Sequence, residues 1–107
     1  MAGYAYRLHT SAMGAWVYIM ADRMHGVIYV GVTSDLIRRV MQHKDGTFKG
    51  FTHKYSGHRL VYFEQHATMP LAIQREKNIK HWPRAWKVRL IHENNPDWED
   101  LYATLFS

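Results

Sequence analysis

Two short apolar runs near the start of the chain limit the fold more than any other feature. Trp16-Val17-Tyr18-Ile19-Met20 and Val27-Ile28-Tyr29-Val30-Gly31 are rich in β-branched and aromatic residues, the composition that suits a pleated, half-buried surface. Asp22 to Gly26 lie between them and supply turn residues, so the pair reads as an antiparallel hairpin. At a side-chain period of two, Trp16, Tyr18 and Met20 share one face, as do Val27, Tyr29 and Gly31 on the second strand. Val17, Ile19, Ile28 and Val30 make the opposite, wholly aliphatic face. The spacing leaves the register open. A register that sets Tyr18 near Tyr29 puts two phenols side by side on a face the aliphatic core does not need. Paired tyrosines on neighbouring strands are also ordinary sheet partners, worth roughly 0.2–1 kcal/mol.

Downstream, Thr33 and Ser34 offer an N-cap with Asp35 in the first turn, and Leu36, Ile37, Val40 and Met41 recur at helical spacing. That helix should end near Asp45-Gly46. Residues 46–58 are polar, basic and punctuated by glycine, which predicts a surface loop. Leu60 to Glu64 restores a strand pattern. Thr68 and Pro70 open a second helix running to about His81, Pro83 interrupts it, and a third helix runs from Arg84 to about His92. Asn95-Pro96 ends that helix, with Asp97 capping a last short turn. The order β-β-α-β-α-α predicts an α+β fold, a small antiparallel three-stranded sheet packed by helices.

At 107 residues and 12.7 kDa, the chain fits one domain. Hydrophobic residues at 47% place it among globular rather than disordered chains. The absence of cysteine excludes a disulfide scaffold, thiolate metal sites and thiol catalysis. Residues 1–14 hold one Arg and no apolar block of secretory type. They are expected to form a mobile leader before a single domain over residues 15–107. No run reaches the length of a membrane span, and the expected compartment is the cytoplasm. A formal net charge of +5 favours polyanionic partners, because each phosphate neutralised releases condensed counterions.

Arg39 and His43 stand four apart on one helical face, at the edge of the Leu36–Val40 stripe. Gly31, just upstream at a strand end, allows a close approach to the backbone. Basic groups with tyrosine neighbours at a strand–helix junction suit an anionic substrate, although any one of them, like Arg38 or Lys44 beside them, also reads as a solvated charge. Glu76 lies among Ala72, Ile73 and Ile79, toward a semi-buried side where a carboxylate must be paired or metal-bound. Lys80 at i+4 is its ready partner. One carboxylate also suffices to anchor a hydrated Mg²⁺, with Glu64 as the candidate second. The eight histidines form no zinc motif, and capping accounts for Thr33 and Ser34. Lys49, Lys54 and Tyr55, with Phe51, interleave basic and aromatic groups, a pattern that serves phosphate contact and base stacking or an ordinary solvated loop.

With Trp16-Val17-Tyr18, a hairpin, and then Tyr29-Val30-Gly31, the chain resembles the GIY-YIG nuclease family at its two name-giving motifs. Val32 to His43 resembles that family's first helix, and Glu76 falls where its metal-binding glutamate is expected. Arg75-Glu76-Lys77-Asn78-Ile79-Lys80-His81-Trp82, Arg84-Ala85-Trp86-Lys87 and Asn95-Pro96-Asp97-Trp98 look like its small stand-alone bacterial branch. The first glycine of the family motif is Trp16 here, and its middle isoleucine is Val17. Lys87 aligns where repair-type members carry a late asparagine, from which Asn95 is offset.

The resemblance implies a phosphodiester hydrolase that uses one divalent metal, Mg²⁺ or Mn²⁺, held by Glu76. Tyr18 would help deprotonate the attacking water and Tyr29 would orient that water or the phosphate. Arg39 would stabilise the developing charge, and His43 would assist it or share in proton transfer. Lys44, Lys49, Lys54, Tyr55 and Lys87 are the expected nucleic-acid contacts. The expected substrate is DNA, single-stranded or branched, with RNA open and a targeting protein as a further partner, since no appended DNA-binding motif is present. The alternative is a nucleic-acid-binding module on the same fold that does not cut.

Overall fold

The computed structural model describes residues 13–46 and 58–106. Three strands, β1 (Met13–Ala21), β2 (Ile28–Asp35) and β3 (Arg59–His66), form one antiparallel sheet in the order β2-β1-β3. Helices α1 (Leu36–Asp45), α2 (Met69–His81) and α3 (Arg84–Asn94) follow the expected order, and a 3-10 helix spans Leu101–Phe106. The α+β reading and the β-β-α-β-α-α order agree with the sequence. Met13 and Gly14 already belong to β1, inside the stretch expected as the leader.

The hairpin closes through Asp22. Its Oδ1 accepts a hydrogen bond from the Val27 N–H at 2.7 Å, and the Gly26 N–H donates to the Arg23 carbonyl at 2.9 Å. A Cβ on Gly26 would stand 1.9 Å from Asp22 Oδ1, so the turn needs glycine there. The register this turn sets pairs Trp16 with Thr33, Tyr18 with Gly31 and Met20 with Tyr29.

Because β1 lies in the middle of the sheet, both of its faces are covered, and Ala15 to Ala21 are all buried. Val17, Ile19 and Val30 pack with Ala72 and Ile79 of α2, Ile91 of α3 and Trp98. Trp16, Tyr18 and Met20 pack with Leu36 and Val40 of α1 and with Leu60, while Leu101, Tyr102 and Leu105 of the 3-10 helix lie against them. Each fully buried aliphatic side chain in these layers contributes about 1.5–3 kcal/mol relative to exposure. The face that the aliphatic core leaves over is therefore itself a second core.

Two local expectations are corrected. β2 runs on through Thr33 and Ser34, and the N-cap of α1 is Asp35, whose carboxylate accepts from the Arg38 N–H at 3.1 Å. Thr33 instead accepts the Asp35 N–H on Oγ1 at 3.1 Å. The last turn is capped by Asp100 rather than Asp97. Asp100 Oδ1 accepts the N–H groups of Leu60 and Tyr102, both at 3.1 Å. Elsewhere the chemistry follows the sequence: Gly46 ends α1 in the left-handed region at φ 79°, and Thr68 caps α2 ahead of Pro70.

Candidate active site

The α1-side face of the sheet gathers Tyr18, Tyr29, Arg39 and His43. Tyr18 and Tyr29 are diagonal neighbours across β1 and β2, with ring centroids 6.2 Å apart. Tyr18 lies flat over Gly31: a Cβ there would be 2.5 Å from both Cζ and the phenol oxygen. The close approach that Gly31 permits is thus made by the first tyrosine. His43, one helical turn from Arg39, reaches back under the sheet, and its Nε2 stands 2.9 Å from Tyr18 Oη. Its ring also lies 5.0 Å from that of Tyr29, centroid to centroid. Tyr18 and His43 are both fully buried, whereas Tyr29 and Arg39 are half-buried. The rim is a tyrosine and an arginine; a phenol and an imidazole lie behind it.

Burial dominates the electrostatics. It drives the Tyr18 phenol well above its ordinary value, and the neighbouring Tyr29 adds to this, while the charge and hydrogen bond of Arg39 oppose it. Burial, then the Arg39 charge, lowers the pKa of His43 to about 4. At neutral pH the pair is therefore a protonated phenol facing a neutral imidazole, which has a lone pair to accept with. Beside it opens a groove of about 250 Å³ lined by Thr33, Ser34, Asp35, Arg38, Arg39 and Gln42. The sequence gives Ser34, Arg38 and Gln42 no functional role, and the groove brings them beside Arg39. The i, i+4 relation of Arg38 and Gln42, beside the 39/43 stripe, was the available clue.

Glu76 sits between Ala72 and Ile79 on the buried side of α2, which packs against β1 and β2 in the layer of Val17 and Ile19, across the sheet from that of Tyr18. Its Oε2 is 2.8 Å from Lys80 Nζ, the i+4 partner the sequence offered. Glu64, the candidate second carboxylate, is engaged elsewhere: Tyr62 at 2.5 Å, His66 at 2.5 Å and Arg75 at 2.9 Å all bond to it. Burial raises its pKa, but these hydrogen bonds outweigh that and hold the carboxyl below its usual range. Among the described residues no three His, Cys, Asp or Glu side chains converge as a metal cage. A single hard oxygen donor, buried and countered by a half-exposed lysine, fits Mg²⁺ or Mn²⁺, cations that retain waters and take phosphate oxygens as further ligands.

The expected nucleic-acid contacts divide. Lys44 pairs with Asp100 and donates to the His58 carbonyl at 2.8 Å, and Lys87 donates to the Lys80 carbonyl at 3.1 Å, at the end of α2. Lys49, Lys54 and Tyr55 lie outside the described residues. Asn95, offset from the family's late asparagine, is buried and structural. Its amide donates to the carbonyls of Val61 and Glu99 and accepts the Glu99 N–H, at 2.8–3.1 Å.

Comparison with known proteins now has a geometry to meet. The sequence profile of the GIY-YIG catalytic domain matches residues 14–89, a span that holds the hairpin, α1, β3 and α2. A UPF0213 protein of Pseudomonas aeruginosa is 32% identical over 83 residues, covering 77% of this chain and 80% of the relative. One from Staphylococcus epidermidis is 34% identical over 78 residues, covering 73% and 94%. The solution NMR structure of a UPF0213 protein from Bacillus halodurans matches with a TM-score of 0.52 at 28% identity, over 82% of this chain and 93% of that one. With Tyr18 over Gly31, Tyr29 beside it and the family profile covering most of its length, the chain belongs to the GIY-YIG family, which is generally one of nucleases.

Proposed function

We propose that this protein is a divalent-metal-dependent endonuclease that hydrolyses phosphodiester bonds in DNA, selecting for strand state or branching rather than sequence. The observation that carries the reading is the 2.9 Å contact between a buried phenol, Tyr18, and a neutral imidazole, His43, directly behind Tyr29 and Arg39. Such a pair has no need to exist for binding alone.

In this reading Tyr29 and Arg39 meet the scissile phosphate and the attacking water, and Arg39 stabilises the charge that develops on the phosphoryl oxygens. Tyr18 helps take the proton from that water; His43 Nε2, 2.9 Å away, holds the phenol in place, and the Arg39 charge is the neighbour that favours its ionisation. Glu76 would hold Mg²⁺ or Mn²⁺, which supplies polarisation of the phosphate and stabilisation of the leaving oxygen. Selectivity by structure follows from size, since one small module covers about 600–1,000 Å², too little for a long sequence-specific footprint.

The test is cleavage of labelled single-stranded, duplex and branched DNA with Mg²⁺, Mn²⁺ or EDTA, alongside Glu76→Ala and Tyr18→Phe. Metal-dependent products that vanish with Glu76→Ala and fall roughly 10²–10⁴-fold with Tyr18→Phe are expected. Binding to every substrate without cutting any assigns the chain to the non-catalytic alternative.

A further inference from the structure

On the side of the sheet away from Tyr18, α3 presents a surface that the fold does not explain. Only Ile91 of this helix is buried. Trp86, Arg89 and Glu93 recur at helical spacing on another face and, with Leu90 and Trp82, which pack against the core, line a groove of about 220 Å³. Trp86 is 50% exposed, an arrangement of a large aromatic side chain that marks contact surfaces rather than core. It meets Trp82 edge-on with centroids 6.0 Å apart, and the Arg75 guanidinium lies 5.1 Å over the Trp82 ring. Trp82 is itself packed against the core around Val17 and Ile79, so the platform is rigidly mounted.

Charge selects the occupant. α2 and α3 together hold six Lys or Arg against two Glu; Lys80 pairs with Glu76 and Arg75 with Glu64 of β3, so that Lys77, Arg84, Lys87 and Arg89 stand against Glu93. The hydrogen bond of Lys87 goes to a backbone carbonyl, and so do those of Arg84, so these bonds leave the positive field intact. An exposed tryptophan, Trp86, beside Arg89 within a basic layer matches the chemistry of unpaired nucleic acid, whose bases stack on aromatics while its phosphates pair with cations. A duplex keeps its base faces stacked internally and offers nothing for Trp86 to cover.

We infer that Trp82, Trp86 and Arg89 form a second nucleic-acid contact, a stacking platform for a single-stranded segment of the substrate. It lies on the opposite face of the sheet from the Tyr18 site. The inference rests on the reading of the chain as acting on nucleic acid, and adds to it which strand state is gripped and where. The platform holds an arm of the substrate and does not touch the scissile phosphate.

The experiment is fluorescence anisotropy of a labelled 15-nucleotide oligo(dT) and of a 15-base-pair duplex, in EDTA, with the full chain and its Trp86→Ala, Arg89→Ala and Phe106→Ala variants. Trp86, half exposed and outside both cores, is removable without unfolding the domain, and the thermal midpoint of each variant checks this. Oligo(dT) is expected to bind more tightly than duplex. Trp86→Ala should weaken it by roughly 10-fold or more. Arg89→Ala should lower the slope of log affinity against log salt by about 0.7, and Phe106→Ala, which removes an exposed aromatic elsewhere on the surface, should bind as the parent does. Unchanged oligo(dT) binding in Trp86→Ala overturns the inference, as does duplex bound equally well through Trp86. So does a dimer of the parent chain that Trp86→Ala dissolves, which makes the groove a contact between copies. If no variant cuts DNA while Trp86-dependent binding persists, the nuclease reading falls and the platform stands. Cutting with no dependence of binding on Trp86 gives the reverse.

Discussion

Gly31 shows how one hydrogen atom sets the site. The Tyr18 ring fills the volume where a side chain at 31 would begin, and because Tyr18 is fully buried the ring has nowhere to move. Gly31→Ala is expected to destabilise the fold by about 1–3 kcal/mol, as overpacked core positions do, and to displace the phenol from His43. Urea denaturation measures the first effect and loss of cleavage the second. Tyr18→Phe should not rescue the stability, since ring carbon Cζ is itself 2.5 Å from the added Cβ. His43 makes a second prediction at this scale. Its folded pKa of about 4 lies below the ordinary 6.5, so between those values the unfolded chain binds more protons than the folded one. Stability is then complete above about pH 6.5 and declines toward pH 4, by up to about 3 kcal/mol. Urea midpoints from pH 7 to 4 should fall in the parent chain and be flatter in His43→Asn.

At the scale of elements, the register of β3 against β1 shifts between Ile19 and Met20. Ile19 pairs with Tyr62 and Met20 with Leu60, leaving Val61 as the extra residue of a bulge. The Val61 carbonyl is satisfied by Asn95, which also ties down Glu99 and so delivers Trp98 to the core. Asn95→Ala strips donors and an acceptor from a buried site at once, and should destabilise by roughly 2–3 kcal/mol. Asn95→Asp, which keeps only the acceptor for the Glu99 N–H, should be no better. Chemical denaturation of both variants, with cleavage assayed under conditions where they stay folded, separates this structural role from a catalytic one.

For the molecule as a whole, the layer behind Tyr18 depends on a clasp between distant parts of the chain. Lys44 of α1 pairs with Asp100, whose other oxygen accepts the Leu60 and Tyr102 N–H groups. Burial pushes the Asp100 carboxyl up, but the Lys44 bond and those two backbone N–H groups outweigh it and lower its pKa. The 3-10 helix thereby lies over Leu36, Val40 and Leu60. Asp100→Ala is expected to leave the Leu60 N–H without its acceptor and to loosen this cover, at about 1–3 kcal/mol. Faster hydrogen exchange in the Leu101–Phe106 segment than in β1 would report it. Among the described residues no helix is long and apolar enough to cross a membrane.

What could be read from the sequence was local. The β-branched runs, the Asp22–Gly26 turn, Thr68 before Pro70 and Gly46 after α1 each act within a few residues. Their physics is contained in the segment that carries them. The Lys80 partner of Glu76 is legible in the same way, at i+4. Contacts across the fold were not legible. Whether Tyr18 meets Tyr29 depended on a register that period-two patterning leaves free by steps of two. Helical spacing puts His43 at the edge of the α1 stripe; because β1 is the central strand, burial strips its charge and the fold brings it to the phenol. Lys44 and Asn95 read as a surface charge and a helix stop; their partners, Asp100 and the Val61 bulge, lie 56 and 34 residues away. A short sequence window specifies which backbone conformation is cheap. Only the closed fold decides which groups are desolvated together, as Tyr18 and His43 are here.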